Sequence, residues 1–230
     1  IKNDAIYLVN SQNIIKDNNK DKFSKILIQK SGLTSAEIYN NKLYLAGSDG
    51  LFQLENDSLN RVKTNNPFEV STNTLLSTKD NLFVGTDGRG IYVYDENEII
   101  HLKNTDGFSI QKIIKKEENL WLATNIGVHK LSLNQKDIEN SKIANSFYES
   151  DGLLQNNINY IFIEKDTLFA ATDIGLVKLN TKNSIYNQKP KLYFKTKNDT
   201  LNYVNGERDN ISITYALQDY SNQLCFFLFQ

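Results

Sequence analysis

Methionine is absent from this 230-residue chain, and it holds one cysteine, one tryptophan, two histidines and two prolines. Cys225 alone can form no internal disulfide and excludes a metal centre built on thiolates. It does not choose between a reducing and an oxidising compartment. With only Pro67 and Pro190 available, chain punctuation falls to Asn, Asp, Ser and Gly. Long apolar runs are missing too. Leu224–Phe229 is far short of the roughly 20 residues of a membrane helix, so this stretch itself makes no membrane contact. Charge of either sign is not in excess: 26 Lys and Arg stand against 27 Asp and Glu, for a net charge of -1. Such a balance offers no basic face, and no nucleic-acid partner is expected. The opening IKNDAIYLVN has neither an initiator methionine nor the look of a secretion signal, so the chain reads as a piece of something longer.

Catalytic motifs are missing as well. There is no Gly-x-Ser-x-Gly elbow and no His-Glu-x-x-His, and no cofactor is implied. His101 and His129 lack a Cys, Asp or Glu at ligand spacing. Asp17–Asp21 begins like a calcium loop, but Lys22 replaces the required glycine and Ile28 the closing glutamate. No metal site is expected.

Aromatic residues are plentiful, with 12 Tyr and 12 Phe, which favours strands. The stretch NLFVGTDGRGIYVYDENEII (Asn81–Ile100) contains a Gly-x-Gly, yet Ile91-Tyr92-Val93-Tyr94 follows it with no helical spacing or cap. A phosphate cradle should open a helix, so a hairpin is the better reading. The hairpin recurs. KLYLAGSDGLFQLE (Lys42–Glu55), NLFVGTDGRGIYVYDE (Asn81–Glu96), NLWLATNIGVHKLS (Asn119–Ser132) and TLFAATDIGLVKLN (Thr167–Asn180) align through the turn, the second carrying two extra residues. Their leading leucines, at 43, 82, 120 and 168, lie 39, 38 and 48 residues apart, the spacing of four-stranded propeller blades.

Gly50, Gly90, Gly127 and Gly175 sit where a turn needs positive φ. Strands are expected before each hairpin at Ser35–Tyr39, Asn73–Ser77, Ile110–Lys115 and Asn159–Glu164, and after it at Ser58–Val62 and Glu98–Leu102. A partial copy, AIYLVNSQNIIKD (Ala5–Asp17), lies over GIYVYDENEIIHL (Gly90–Leu102), so the chain is expected to start halfway through a blade. The expected fold is all-β: a β-propeller fragment over residues 1–185, followed at 186–230 by the opening of a second β-domain. Its signals are Pro190, the alternating ISITYAL (Ile211–Leu217) and the apolar CFFLF.

The pattern of NLWLATNIGVHKL, TLFAATDIGLVKL and the lead-in DGLLQNNINYIFIEKDTLFAAT resembles the two-component regulator propeller repeat. KPKLYFKTKND followed by NISITYALQDYSN resembles the start of the three-Y immunoglobulin-like domain, although Cys225–Phe229 stands where tyrosines belong. The resemblance implies about four and a half blades of a seven-bladed ring, then the beginning of an immunoglobulin-like β-sandwich. It also implies a periplasmic ligand-sensing region, non-catalytic itself, of a membrane-anchored bacterial histidine kinase. A small ligand such as an oligosaccharide, and pairing of two sensor chains, follow from the same resemblance. The rival readings are a secreted propeller enzyme acting on polysaccharide, which needs converging carboxylates, and a plain interaction scaffold.

Blade topology puts the hairpin turns and the blade-to-blade connections on one face. Asp49, Asp87, Arg89, Asn125 and Asp173 should share it, with the connections Lys103–Ser109 and Asn134–Asn157. Arg89, Asp87, Asn125 and Asp173 are the candidate ligand-binding residues, Arg89 first because it is an insertion able to bind an anion or a sugar hydroxyl. The bland reading is that the recurring Asp caps its own hairpin. Trp121, Tyr44, Phe83 and Phe169 occupy one strand position and are expected between blades.

Overall fold

Period-two alternation of apolar and polar residues, broken by short Asn-, Asp- and Gly-bearing turns, yields antiparallel strands throughout the computed structural model. It describes residues 6–11, 13–17, 23–26, 32–64, 68–182, 192–195, 214–218 and 224–228. Ile1–Thr181 forms one unit and Lys182–Gln230 a second. Among the described residues there is no α-helix, only short 3-10 turns.

Among the described residues the first unit contains five consecutive sheets. The first comprises β1 (Ile6–Val9), β2 (Ile14–Asp17) and β3 (Phe23–Ile26). The second has β4 (Leu33–Tyr39), β5 (Lys42–Gly47), β6 (Gly50–Glu55) and β7 (Ser58–Arg61). The third has β8 (Thr72–Ser77), β9 (Leu82–Thr86), β10 (Ile91–Tyr94) and β11 (Ile99–His101). The fourth has β12 (Ile110–Lys116), β13 (Asn119–Thr124), β14 (Gly127–Ser132) and β15 (Lys142–Phe147). The fifth shows β16 (Tyr160–Glu164), β17 (Thr167–Thr172) and β18 (Gly175–Asn180). Within every sheet each strand pairs with its chain neighbours in simple up-and-down order.

Strands β4, β8, β12 and β16 contact one another in succession, and the second strand of each sheet touches the first strand of the next. This is the arrangement of neighbouring propeller blades, innermost strand against innermost strand. The chain is all-β and forms part of a β-propeller. A register shift recurs at one place in the innermost strands: at Leu33/Ser35, Ile110/Lys112 and Thr72/Thr74. Each bulge bends its strand and adds local twist. Thr34, inside the first of them, donates to the Thr72 carbonyl of the next sheet at 2.7 Å.

Two expectations need correction. The first sheet has one strand more than the alignment over Gly90–Leu102 allows, since β3 pairs with β2. Strand β1 packs on β4 just as β5 packs on β8 and β9 on β12, so β1 holds the second-strand position and β1–β2 is itself the hairpin. IYLVNSQN therefore matches LYLAGSDG, one strand earlier than the sequence alignment placed it. Asn134–Asn157 is likewise not one connection, because β15 runs through it and pairs with β14. The calcium-like loop residues 18–22 and the Pro190 boundary lie outside the described residues.

The core lies between sheets, in slabs. Tyr44 and Phe83 are fully buried in successive slabs, Trp121 nearly so, as their shared position predicts. Trp121 stacks on Phe147 with ring centroids 5.9 Å apart and carries the Lys130 ammonium 5.7 Å above it. Phe169 differs. Its face of the fifth sheet is uncovered among the described residues, with Phe162 54 % and Leu176 68 % exposed. The matching face of the fourth sheet, with Trp121, Ala123 and Val128, is buried against the fifth.

The second unit shows an antiparallel sheet of β19 (Leu192–Lys195), β20 (Thr214–Gln218) and β21 (Leu224–Leu228), in that order. Its last two strands fall on the alternating and apolar runs of the sequence.

Replacing Trp121 by Ala removes the largest side chain of its slab and should destabilise the protein by about 3–5 kcal/mol. A urea melt measures this. A loss below about 1 kcal/mol would show that the slab does not hold the two sheets together.

Candidate functional site

The hairpin turns are closed by a threonine at the end of the second strand. Thr86, Thr124 and Thr172 donate their hydroxyls to the carbonyls of Gly90, Gly127 and Gly175 at 2.7, 2.9 and 3.0 Å. The second sheet has Gly47 at that position, and Thr72 of the third sheet substitutes. Its oxygen accepts from the Gly47 N–H at 2.7 Å and lies 2.8 and 2.9 Å from the Gly47 and Gly50 carbonyls.

The turn glycines answer to more than φ. Gly90 has φ 65°, and a Cβ there would lie 2.2 Å from the Thr105 carbonyl oxygen. At Gly127 and Gly50 it would lie 2.4 Å from Phe147 O and 2.6 Å from Phe68 O. The turns at Gly90 and Gly50 thus lie against the connection that leads to the next sheet, and the turn at Gly127 against the end of β15. Gly90 N–H donates to Phe108 O at 2.9 Å and Gly127 N–H to Asn156 O at 2.7 Å. Turns and connections share one face, as up-and-down topology requires. Residues 148–159 belong to it, whereas 133–141 join β14 to β15 on the opposite face.

On this turn face the structure brings Asp87 and Asn125 together through Ser109, which the sequence reading missed. The Ser109 hydroxyl donates to the Asp87 carboxylate, and the Ser109 N–H donates to Asn125 Oδ1 at 2.9 Å. The Asn125 N–H returns a bond to Ser109 O at 3.2 Å. Asp173 stands apart and accepts from Asn159 Nδ2 at 2.6 Å. Asp49 is tied to β7, its Oδ2 3.2 Å from Arg61 Nη2. These carboxylates join their turns to other segments rather than capping only their own hairpins.

Arg89 is the candidate whose side chain is exposed and makes no hydrogen bond or ion pair among the described residues. Its turn is propped from below. His101 Nε2 lies 3.0 Å from the Arg89 carbonyl, which it reaches only as a donor, and its ring stacks on Tyr92 at 4.5 Å. Tyr92 in turn meets Phe68 edge-on at 5.0 Å. Among the described residues no three His, Cys, Asp or Glu side chains are grouped to hold a metal.

His129 lies beside this face, 1 % exposed, stacked on Phe108 at 4.3 Å with Nδ1 2.8 Å from Ser146 Oγ. Burial lowers its pKa from 6.5 to about 4, with the Ile126 backbone opposing. The unfolded chain therefore binds this proton more tightly than the folded one. Its contribution is complete above about pH 6.5 and is lost as pH falls towards about 4. A loss of up to about 3 kcal/mol across that window is expected from pH-dependent urea melts. The slope should flatten in His129→Phe; an unchanged slope would place the titration elsewhere.

Gly90→Ala should cost about 1–3 kcal/mol, because the Thr105 backbone must move. Gly88→Ala, which meets open space, should cost less. Equal melting midpoints for the two variants would remove the close-approach argument.

No protein-family model and no curated protein matches the chain. Solved structures do. The extracellular domain of BT4673 from B. thetaiotaomicron, named as a one component system, matches with TM-score 0.61 at 14% identity. The match covers 98% of this chain and 34% of that one. The extracellular domain of BT3049 from B. thetaiotaomicron, named as a hybrid two component system, matches with TM-score 0.51 at 15% identity, over 98% of this chain and 34% of that one. The WD40 β-propeller domain of Doa1 matches with TM-score 0.56 at 11% identity, over 99% and 80%. The chain spans about a third of the length of the two extracellular domains. At these identities the likeness is one of fold, and the fold is the β-propeller.

Proposed function

We propose that this chain is the ligand-sensing part of an extracytoplasmic region in a bacterial signalling receptor of the two-component type. The observation that carries this is structural. Almost the whole chain is covered by its match to an extracellular domain named as part of a hybrid two component system, and equally by its match to one named as part of a one component system. The WD40 likeness shows that the propeller alone does not decide a function. Three-Y character in the second unit, a histidine kinase output and periplasmic placement are further parts of the proposal.

The turn face supplies the ligand site. Asp87 and Asn125 hold two successive sheets together through Ser109, so a ligand seated there touches a junction between blades rather than a single turn. Arg89 offers an uncommitted guanidinium at the rim, suited to a carboxylate, a sulfate or the hydroxyl pairs of an oligosaccharide. A ligand that binds one pairing arrangement of two receptor chains more tightly shifts the receptor towards it. The fragment performs no chemistry in this account.

A panel of neutral and acidic oligosaccharides titrated into the full chain tests the reading. Arg89→Ala should weaken the bound member by about tenfold or more while leaving the melting midpoint unchanged. Binding that survives Arg89→Ala moves the site off this turn. Turnover of an oligosaccharide would replace the sensor with the polysaccharide-acting enzyme.

A further inference from the structure

The opposite face of the propeller, where the first-to-second and third-to-fourth strand turns lie, treats two equivalent junctions differently. Between the second and third sheets the mouth of the junction is plugged. Tyr39 and Tyr44 pack with ring centroids 6.1 Å apart, and Tyr44 meets Tyr94 edge-on at 5.7 Å. Glu96 closes the top, 2.5 Å from Lys42 Nζ and accepting from Asn40 Nδ2 at 2.9 Å. The Tyr39 hydroxyl donates to Asp80 O at 2.8 Å.

One junction further on, strand register places different residues at each of these positions. Thr78 replaces Tyr39, Phe83 replaces Tyr44, Leu131 replaces Tyr94 and Leu133 replaces Glu96. The rings and the carboxylate that fill the first mouth are gone. An open groove of about 420 Å³ remains, its apolar surface given by the half-buried Ile100, Leu133 and Ile138, with the buried Phe83 and Val93 behind them. That volume suits a small molecule.

The rim decides the chemistry. Lys79, Lys115 and Lys136 line it, exposed, and none makes an ion pair among the described residues. Three carboxylates share the rim, but two have work already. Asp95 accepts the N–H groups of Asn97 and Glu98, both at 2.9 Å, which holds its pKa below the ordinary value. Glu118 accepts from the Gln135 amide. Asp80 is the remaining acid, so the uncommitted groups at the rim are mainly ammonium donors above an apolar floor.

We propose that this groove is a binding site for a small molecule with an apolar body and a carboxylate. The body lies on Leu133 and Ile138, and the carboxylate accepts from the lysines. The site is separate from the turn face, so the two proposals stand or fall independently.

Isothermal titration of the full chain with 4-phenylbutyrate and with its uncharged amide tests the assignment. The carboxylate should bind about tenfold more tightly than the amide, a charge-assisted hydrogen bond making the difference. Lys79→Gln combined with Lys136→Gln should erase that preference, Leu133→Trp should abolish binding of both, and Arg89→Ala should change neither. The proposal is overturned if the carboxylate fails to bind, if the preference survives loss of the lysines, or if Leu133→Trp leaves affinity intact. The last result would place the ligand on another apolar surface, such as the uncovered face of the fifth sheet.

Discussion

Everything on the turn face hangs on how closely one turn's glycine approaches the backbone entering the next sheet. At Gly90 no side chain fits, because Thr105 already occupies the space a Cβ would need. The same contact recurs at Gly50 against Phe68, and Gly127 approaches the end of β15 at Phe147 as closely. Because backbone meets backbone, successive sheets are held at a fixed offset, and polar side chains on neighbouring turns come within reach of shared partners. Ser109 can hold Asp87 and Asn125 only because that offset is set. A polar surface assembled from several turns is thus a by-product of packing that the glycines permit.

The two faces of the propeller use different physics. The turn face is organised by main-chain hydrogen bonds and short polar side chains, so its shape repeats. The opposite face is organised by whatever side chains fill the mouth of each junction. There a plug of Tyr39, Tyr44, Tyr94 and Glu96 gives way to a groove with small changes in residue type and none in strand pairing. Tyr44 shows how firm the plug is: burial pushes its phenol pKa far above the usual tyrosine value.

The hairpins were readable in the sequence because each carries three agreeing signals: alternation, a small residue at the strand end, and a turn glycine. KLYLAGSDGLFQLE becomes β5 and β6 with its turn where the glycine stands. Strand β15 was not readable. KIANSF has little alternation, because an outermost strand meets only one sheet neighbour and is exposed along much of its length. The first hairpin slipped by one strand because IYLV and IIKD fit either frame, and it has Asn13 where the other turns have glycine. The candidate residues were correctly assigned to one face by topology, but not their partners. Ser109 carries no motif, and its role exists only once two sheets meet. The groove was hidden for a related reason, since it is defined by residues that are missing relative to a neighbouring junction.

Burial of the third and fourth sheets on both faces has a consequence for how the molecule comes apart. In a repeat architecture each unit's stability is its own small share plus the interfaces it makes. The third and fourth sheets each have such an interface on both sides. Opening either of these sheets must break an interface on each side, so the amides of β9 and β13 should exchange late, with global unfolding. A surface built on the third and fourth sheets therefore rests on rigid ground, where binding would lose little freedom.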